Sequence, residues 1–441
     1  MRTNRECVDK SVRASTLTAV WLVCAMSCLS TTPTMAQALP IERLPVNAGV
    51  PQGRTYTLTD LLTLARRDNL ALQSVRAQAL AARAGVTTAG AYPNPELELL
   101  GTSVRARTPG APGGNGSVIG FSQRIENPAL RGARIGAATA GAQAGEIAIR
   151  VSENNLMADI KTRFFEVLKQ QEELEASRED LALTEQIRDR IRVRTRTGES
   201  ARFDLIRAEN EVALASKQVI RDLAVLAQAR ANLAQSVGVS LGEGFTLIGD
   251  FYRQTPRASY VEMRDALALN PELKRLAAER SRAERQVEVE RQQIFPGVSV
   301  RIGQEVEPEL RSMRAGIALS VPLWDRRSGP IDEARALAIR TRTDAEHRKF
   351  TLGQAFEAAW QQYQSALKSV EAIEGGILDQ ARSIVDIAEA AYRFGERGIL
   401  EFLDARRQFR LVRADLIAAR FELHAAKSEL ERLAASDIKE E

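Results

Sequence analysis

Two long stretches of the chain, residues 129–255 and 331–441, contain no proline. Proline breaks helices because it lacks a backbone N–H and its ring clashes with the preceding turn, so both stretches can be helical throughout. In the first stretch, apolar side chains recur at steps of three, four or seven residues, as in a packed amphipathic helix. They are Leu156, Ile160, Phe164, Val167, Leu174 and Leu181. A helix over residues 134–194 would be about 90 Å long, too long for a compact globule.

The chain also repeats itself after about 200 residues. TLTDLLTLARRDNLAL at 57–72 corresponds to SYVEMRDALALNPEL at 259–273, and each begins with a hydroxyl residue followed three positions later by an acid. This spacing is typical of a helix start. GESARFDLIRA from Gly198 corresponds likewise to GERGILEFLDA from Gly395. We therefore expect a tandem duplication, with a first repeat at 55–250, a second at 257–435 and a tail at 436–441.

Each half contains two short segments in which apolar and polar residues alternate, at 96–104 and 117–125 and at 297–305 and 313–322. Alternation predicts strands with one apolar face, and about ten residues is the length of a membrane-spanning strand. The alternative is a pair of periplasmic hairpins packed on the helices. Four strands cannot close a barrel, so a membrane location requires several chains to combine their strands. Two chains would give eight strands and a filled interior, whereas three would give twelve and leave a passage.

Residues 1–36 have the pattern of an export signal. Four basic residues precede the apolar run LTAVWLVCAMSCL, and small residues follow in TMAQA, which predicts cleavage after Ala36 or Ala38. Two alternatives stay open. The run could remain as an anchor, although it is shorter than the about 20 residues of a spanning helix, or a lipid could be attached at Cys28.

Composition excludes several classes of function. The 61 basic and 57 acidic residues are mixed along the chain, so there is no basic face for nucleic acid. All three cysteines lie in the export signal, which leaves the remaining chain without thiols. His347 and His424 are isolated, and GAPGGNG has the context of a loop instead of a phosphate-binding turn. We therefore expect no enzyme, no cofactor and no metal-ligand cluster.

A duplicated unit of helix, strand pair, very long helix, glycine turn and returning helix, behind an export signal, resembles the TolC family of outer-membrane efflux proteins. The carriers of this resemblance are the turns at Gly198 and Gly395 and the segment YPNPEL at 92–97. YPNPEL and TGES at 197–200 are most similar to the heavy-metal, cobalt-zinc-cadmium branch. The resemblance implies a mainly α chain with a small β part. Three copies would form a twelve-stranded barrel in the outer membrane, continued by a periplasmic α-barrel of long antiparallel helices.

The resemblance also implies roles for residues at the two turns. Members of the family dock their adapter at Val-Gly-Leu-like triplets. The corresponding residues here are Thr197, Gly198 and Glu199 in the first turn and Phe394, Gly395 and Glu396 in the second. Pore closure falls on Asp204, Tyr392, Arg397, Glu401 and Asp404, with Tyr392 and Arg397 linked to the aspartate of the neighbouring hairpin. Glu401 and Asp404 lie on one helical face, and three copies would stack them as two acidic rings that favour cations. An ordinary solvated helix face is the alternative for this pair.

The function that the resemblance implies is an outer-membrane channel passing heavy-metal cations. Its expected partners are two further copies, a periplasmic adapter, an inner-membrane pump of the resistance-nodulation-division type and outer-membrane lipid, with no nucleic acid. Multidrug efflux and type I protein secretion are alternatives with the same architecture. A periplasmic coiled-coil scaffold without a pore is the alternative from a different class, and it predicts strands outside the membrane.

Overall fold

The computed structural model describes residues 53–105, 110, 113–242, 244–252, 257–307 and 309–435. The predicted export signal at 1–36 lies outside these residues, and so do its two alternatives, a retained anchor and a lipid attached at Cys28. The predicted tail at 436–441 also lies outside them. Within them, no helix combines the length and hydropathy that a membrane span requires.

The first half runs from a short strand through two helices, a strand pair and a very long helix to a turn and a returning helix. Its elements are β1 (Thr55–Tyr56), α1 (Leu58–Asp68), α2 (Leu70–Gly90), β2 (Glu96–Val104), β3 (Gly114–Ile125), α3 (Pro128–Arg196), α4 (Arg202–Val237) and β4 (Thr246–Leu247). The 69 residues of α3 form one continuous helix, about 100 Å long. The predicted long helix is therefore confirmed and extends further at its start.

The second half repeats the order of helices and longer strands, without short strands among its described residues. Its elements are α5 (Tyr260–Leu267), α6 (Pro271–Gln292), β5 (Gly297–Val306), β6 (Arg311–Ser320), α7 (Ser328–Ala372), a π-helical segment (Ile373–Ile377), α8 (Leu378–Arg393) and α9 (Ile399–Ala434). The counterpart of α3 is thus divided at the π-helical segment, where Gly376 has a φ of 154°. Only glycine adopts such a φ readily, so the sequence IEGGI permits a break here that α3 does not have.

The starts of the two repeats are capped differently. Thr57 accepts a hydrogen bond from the Asp60 backbone N–H, and Asp60 accepts from the Thr57 backbone N–H; this capping box confirms the expected helix start. Ser259 also stands immediately before a helix, as expected, but its side chain makes no capping hydrogen bond. The spacing of a hydroxyl residue and an acid therefore predicted both helix starts, but the side-chain cap forms only at Thr57.

The four longer strands form one antiparallel sheet in the order β2-β3-β5-β6. Its register aligns Leu97, Phe121, Ile302 and Ala315 in one row across the sheet. Most of the large apolar strand side chains share this face, because successive side chains of a strand point to opposite sides. They are Leu97, Leu99, Ile119, Phe121, Ile125, Val298, Val300, Ile302, Met313, Ile317 and Leu319. The predicted alternation is confirmed.

The opposite face of the sheet is mainly polar, although Leu100 and Val118 also lie on it. It carries Glu96, Glu98, Ser122, Arg124, Ser299, Arg301, Glu305 and Arg314. Arg314 and Glu305 form an ion pair of 2.6 Å on this face. Within the described residues, the outer edges of the sheet, on β2 and β6, have no strand partner.

The helices are held together by three clusters of buried side chains. The largest joins α1, α3 and α4 around residues such as Leu61, Ile160 and Leu233. A second joins α5, α7 and α9 around Phe356 and Tyr363, and the third lies beside the two turns that end α3 and α8. Because α9 contributes to all three, it connects the two halves of the chain.

Candidate functional site

The first turn (residues 197–201) joins α3 to α4, and the second turn (residues 394–398) joins α8 to α9. Gly198 has a φ of 81° and Gly395 a φ of 76°. The residue after each glycine donates its backbone N–H to a carbonyl five positions earlier, Glu199 to Arg194 at 2.8 Å and Glu396 to Ala391 at 2.9 Å. This is the hydrogen bond of a Schellman helix end, for which a left-handed glycine is preferred. The two turns therefore share one backbone design.

The side chains at both turns are open to solvent. Phe394 has 82% of its surface exposed, although it is a large apolar residue. Thr197 donates its hydroxyl to the carbonyl of Arg194 at 3.0 Å and to the carboxylate of Glu199 at 3.2 Å. Glu199 and Glu396 are also exposed. The six residues assigned to adapter docking thus form two exposed corners, one of them with a projecting aromatic ring.

Tyr392 lies in the packed cluster behind the second turn. Its ring stacks on Phe402 with centroids 6.0 Å apart and an interplanar angle of 5°. The guanidinium of Arg194, from the end of α3, lies 5.5 Å from the ring centroid of Tyr392. Ile191 and Ile399 complete this contact between the two hairpins. Tyr392 therefore packs within its own hairpin through Phe402 and contacts the other hairpin through Arg194.

Arg397, in the second turn, lies next to Glu401, in the first turn of α9. Their side chains form an ion pair of 2.5 Å, and the hydrogen bond to Glu401 raises the pKa of Arg397. Asp404, three residues further, is exposed, and Asp204 near the start of α4 is half-buried. Within the described residues neither aspartate has an ion-pair partner. Arg397 therefore contacts Glu401. No contact of Tyr392 or Arg397 with Asp204 is present among the described residues.

Sequence reasoning missed an ion network between α3 and α9. Asp180 accepts hydrogen bonds from Arg406 at 2.6 Å and from Arg410 at 2.7 Å, and the side chains of Asp180 and Arg406 are each only 10% exposed. Burial lowers the pKa of Arg406, but a guanidinium remains charged at any physiological pH. The signal was present in ARRQFRLVR at 405–413, where arginines recur on one helical face.

This network borders a cavity of about 710 Å³ between α3, α4 and α9. Two further ion pairs flank it, Arg413 with Glu179 at 2.5 Å and Arg407 with Glu211 at 3.5 Å. Three of the four pairs join α9 to α3, and the fourth joins α9 to α4. Electrostatic pairing thus continues the contact between the hairpins beyond the apolar cluster at the turns.

A second network surrounds the π-helical segment. Arg420 on α9 pairs with Glu374 and donates to the backbone carbonyl of Tyr252 at 2.6 Å. The hydroxyl of Tyr252 donates to Glu172 on α3 at 3.0 Å. Burial, with a further contribution from the negative charge of Glu172, raises the pKa of Tyr252 to about 12. The break in the second long helix is therefore tied to both α9 and α3.

Neither histidine has the surroundings of a metal ligand. His424 is buried, and its ring stacks on Phe165 with centroids 3.8 Å apart while Nε2 lies 3.2 Å from the carbonyl oxygen of Phe251. Burial lowers the pKa of His424. His347 is exposed on α7. Across the described ranges, no three His, Cys, Asp or Glu side chains converge in a way that could hold a metal ion.

The comparison with protein families decides the identity of this architecture. The Outer membrane efflux protein family matches residues 61–239 and 263–436, the greater part of both halves. The chain belongs to this family. The resemblance inferred from the two turns is thereby confirmed for the outer membrane efflux proteins, the group that includes TolC-type channels.

Individual proteins are also similar to this chain in sequence or in fold. The chain is 23% identical over 379 residues to the cobalt-zinc-cadmium resistance protein CzcC of Cupriavidus metallidurans, covering 86% of this chain and 89% of that protein. The crystal structure of CusC has a TM-score of 0.75 at 17% identity, covering 86% of this chain and 91% of CusC. The open state of the MtrE channel of Neisseria gonorrhoeae has a TM-score of 0.72 at 15% identity, covering 86% and 88%. The fold is therefore shared with solved outer-membrane channels.

Proposed function

We propose that this efflux protein is the outer-membrane channel subunit of a tripartite system, and that heavy-metal cations are its cargo. The main support for a channel is the four-stranded sheet. It has one apolar and one polar face, and the edges on β2 and β6 are unpaired within the described residues. Open strand edges are not tolerated in lipid, so the sheet must be closed by other copies.

Three copies supply twelve strands, and a barrel of that size leaves room for a passage lined by the polar face. In this arrangement β6 of one copy pairs with β2 of the next. The apolar face then contacts lipid, and the polar face, with Glu98 and Arg314 among its residues, lines the water-filled interior. The long helices continue the passage into the periplasm.

At the far end of the helices, the exposed corners at Gly198 and Gly395 dock a periplasmic adapter, which connects the channel to an inner-membrane pump of the resistance-nodulation-division type. Glu401 and Asp404 form two acidic rings at the narrow end, where Tyr392, Arg397 and Asp204 take part in closure. The exposure of Asp404 supports this assignment, whereas the charge of Glu401 is offset by its ion pair with Arg397. Carboxylate rings favour the passage of cations.

The cargo assignment rests on the similarity to CzcC, a cobalt-zinc-cadmium resistance protein. Deletion of the gene should sensitise its host to zinc, cobalt, cadmium or copper, and the wild-type gene should restore resistance. Sensitivity to hydrophobic drugs alone would assign the channel to multidrug efflux.

Fractionation tests the channel itself. A detergent-resistant trimer in the outer membrane is expected, whereas a soluble periplasmic product would indicate a coiled-coil scaffold instead of a channel.

A further inference from the structure

Strands β3 and β5 carry the same short pattern, a serine followed two positions later by an arginine. The pattern is SQR from Ser122 to Arg124 and SVR from Ser299 to Arg301. The two strands are antiparallel, and their register places Ser122 opposite Arg301 and Arg124 opposite Ser299. The arginines therefore lie on one diagonal of a square of four residues, and the serines lie on the other. We call these four residues the Ser-Arg square.

All four side chains of the Ser-Arg square belong to the polar face of the sheet, because successive residues of a strand point to opposite faces. Diagonal neighbours on one face are about 7–8 Å apart, within reach of long side chains. Arg124 and Arg301 are exposed, and neither has an ion-pair partner within the described residues. Two like charges at this spacing repel each other, so an anion bound between them would lower the repulsion.

The Ser-Arg square lines an open cavity of about 750 Å³, next to the end of β3 and the start of β5. Neighbouring glycines leave both guanidinium groups accessible from this cavity. Arg301 lies opposite Gly316, and no atom lies within 4 Å of the place that a Cβ of Gly316 would take. A Cβ on Gly297 would lie 3.9 Å from Nη2 of Arg124, so this guanidinium extends toward a position without a side chain.

The donors of the square suit a small oxyanion. A guanidinium presents several N–H donors in one plane and binds phosphate oxygens in pairs, and each serine adds a hydroxyl donor. Glu96, opposite Ser122, also lines the cavity. Its negative charge opposes an anion, but the two arginines outnumber it. The cavity therefore favours an anion over a cation.

We propose that the Ser-Arg square binds a small oxyanion of the phosphate class on the inner wall of the barrel. This inference rests on the proposed channel function, which turns the polar face toward the passage. Because β3 and β5 are the two inner strands of the sheet, each copy holds a complete site that does not depend on the contacts between copies. Three copies then carry three sites at one level of the passage. A bound oxyanion offsets the positive charge of the arginines, which opposes the passage of cations.

Reversal potentials of single trimers in a salt gradient test this site, with inorganic phosphate as the probe. Phosphate is added at constant ionic strength and far below the concentration of chloride, so that its own share of the current is small. In the wild type, the cation preference should increase with phosphate concentration and then saturate. Arg124→Gln and Arg301→Gln should each weaken the apparent affinity about tenfold, as expected for one lost charge-assisted hydrogen bond. Glu96→Gln should strengthen it, because the opposing carboxylate is removed.

The matched control is the double variant Glu305→Gln with Arg314→Gln, which removes one paired charge of each sign from the same face. It should keep the wild-type affinity for phosphate. Isothermal titration calorimetry of trimers in detergent measures phosphate binding without ion current. In this measurement too, binding should weaken in Arg124→Gln and Arg301→Gln and persist in the control.

Trimers that conduct ions but do not respond to phosphate in either measurement would overturn the site and leave the channel intact. An equal response in the wild type and in the double variant Arg124→Gln with Arg301→Gln would place phosphate elsewhere and also overturn it. If the two arginines were needed for insertion into vesicles containing phosphatidylglycerol, without a response to free phosphate, they would contact lipid headgroups instead. Trimers that insert without carrying current would refute the channel, and calorimetry would still decide whether the square binds phosphate.

Discussion

Arg420 on α9 donates from Nε to the carboxylate of Glu374 at 2.6 Å, which fixes the π-helical break of the second long helix against the returning helix. Glu374 is the only charged residue of this segment, and Gly375 and Gly376 follow it directly. The glycines allow the non-helical backbone of the break, at Gly376, and the ion pair holds this segment against α9. The first long helix, in contrast, is continuous.

Glu374→Ala should lower the free energy of unfolding by about 3 kcal/mol, because it leaves the buried Arg420 without its counter-ion. Guanidinium unfolding followed by far-ultraviolet circular dichroism measures this loss. Glu371→Ala is the matched control, since Glu371 lies three residues earlier, at the end of α7, and forms an exposed pair with Arg257. It should cost less than about 1 kcal/mol. Equal losses for the two variants would show that the Glu374 contact contributes no more than a surface pair.

Much of the fold could be predicted because it depends on local periodicity. The strand at 96–104 has the predicted bounds, and the single helix through Ile160 and Phe164 follows from their spacing. The π-helical break could not be predicted, since Gly375 and Gly376 are compatible with a continuous helix, a kink or a turn. The contact that holds the break against α9 comes from Arg420, 46 positions later in the chain, and is not visible in the local sequence.

In the candidate site, too, features set by the local sequence could be predicted, and those set by distant contacts could not. Gly198 and Gly395 could be assigned to turns from the sequence, because the positive φ of a helix end favours glycine. The pairing of Arg406 with Asp180 could not, since it joins residues 226 positions apart. Tyr392 is an intermediate case: the sequence indicated its place beside the second turn, and only the structure shows that its ring stacks on Phe402.

Gly395→Ala should cost about 1–2 kcal/mol, because an alanine at a φ of 76° meets the strain of the left-handed region. No atom lies within 4 Å of the added methyl group, so the cost is one of backbone conformation and not of a clash. Gly398→Ala, in the same turn, is the control: its φ of −73° is accessible to any residue. Thermal unfolding of the two variants should differ, and an equal effect would mean that φ does not limit the turn.

Ile317→Arg and Ala318→Arg place the same charge on opposite faces of β6. Ile317 lies on the apolar face, in the row of Val300, whereas Ala318 lies on the polar face, in the row of Ser299. At a lipid-facing position near the middle of the bilayer, arginine costs about 2–4 kcal/mol, whereas a lumen position tolerates it. The amount of trimer recovered from the outer membrane should therefore fall for Ile317→Arg alone. Loss of trimer for both variants, or for neither, would contradict the assignment of the faces.

His424 should make the fold less stable as the pH falls. Burial places its folded pKa below the unfolded value of 6.5. The unfolded chain therefore takes up the proton first, so the free energy of unfolding decreases from about pH 6.5 down to the folded pKa, by about 1.4 kcal/mol per pH unit. His424→Gln removes this titration and keeps a donor for the Phe251 carbonyl. His347→Gln, at an exposed position, is the control, and its free energy of unfolding should depend on pH as in the wild type. If the pH dependence were also unchanged in His424→Gln, it could not be attributed to His424.

Asp404 should contribute more to cation selectivity than Glu401, although both belong to the proposed acidic rings. The charge of Glu401 is offset by Arg397 at 2.5 Å, whereas Asp404 has no ion-pair partner within the described residues. Reversal potentials of single trimers in a salt gradient should therefore move further toward zero for Asp404→Asn than for Glu401→Gln, and Arg397→Gln should increase cation preference. Glu422→Gln, exposed on α9 away from the second turn, should leave selectivity unchanged. Wild-type selectivity and divalent block in the double variant Glu401→Gln with Asp404→Asn would show that these carboxylates do not line the constriction.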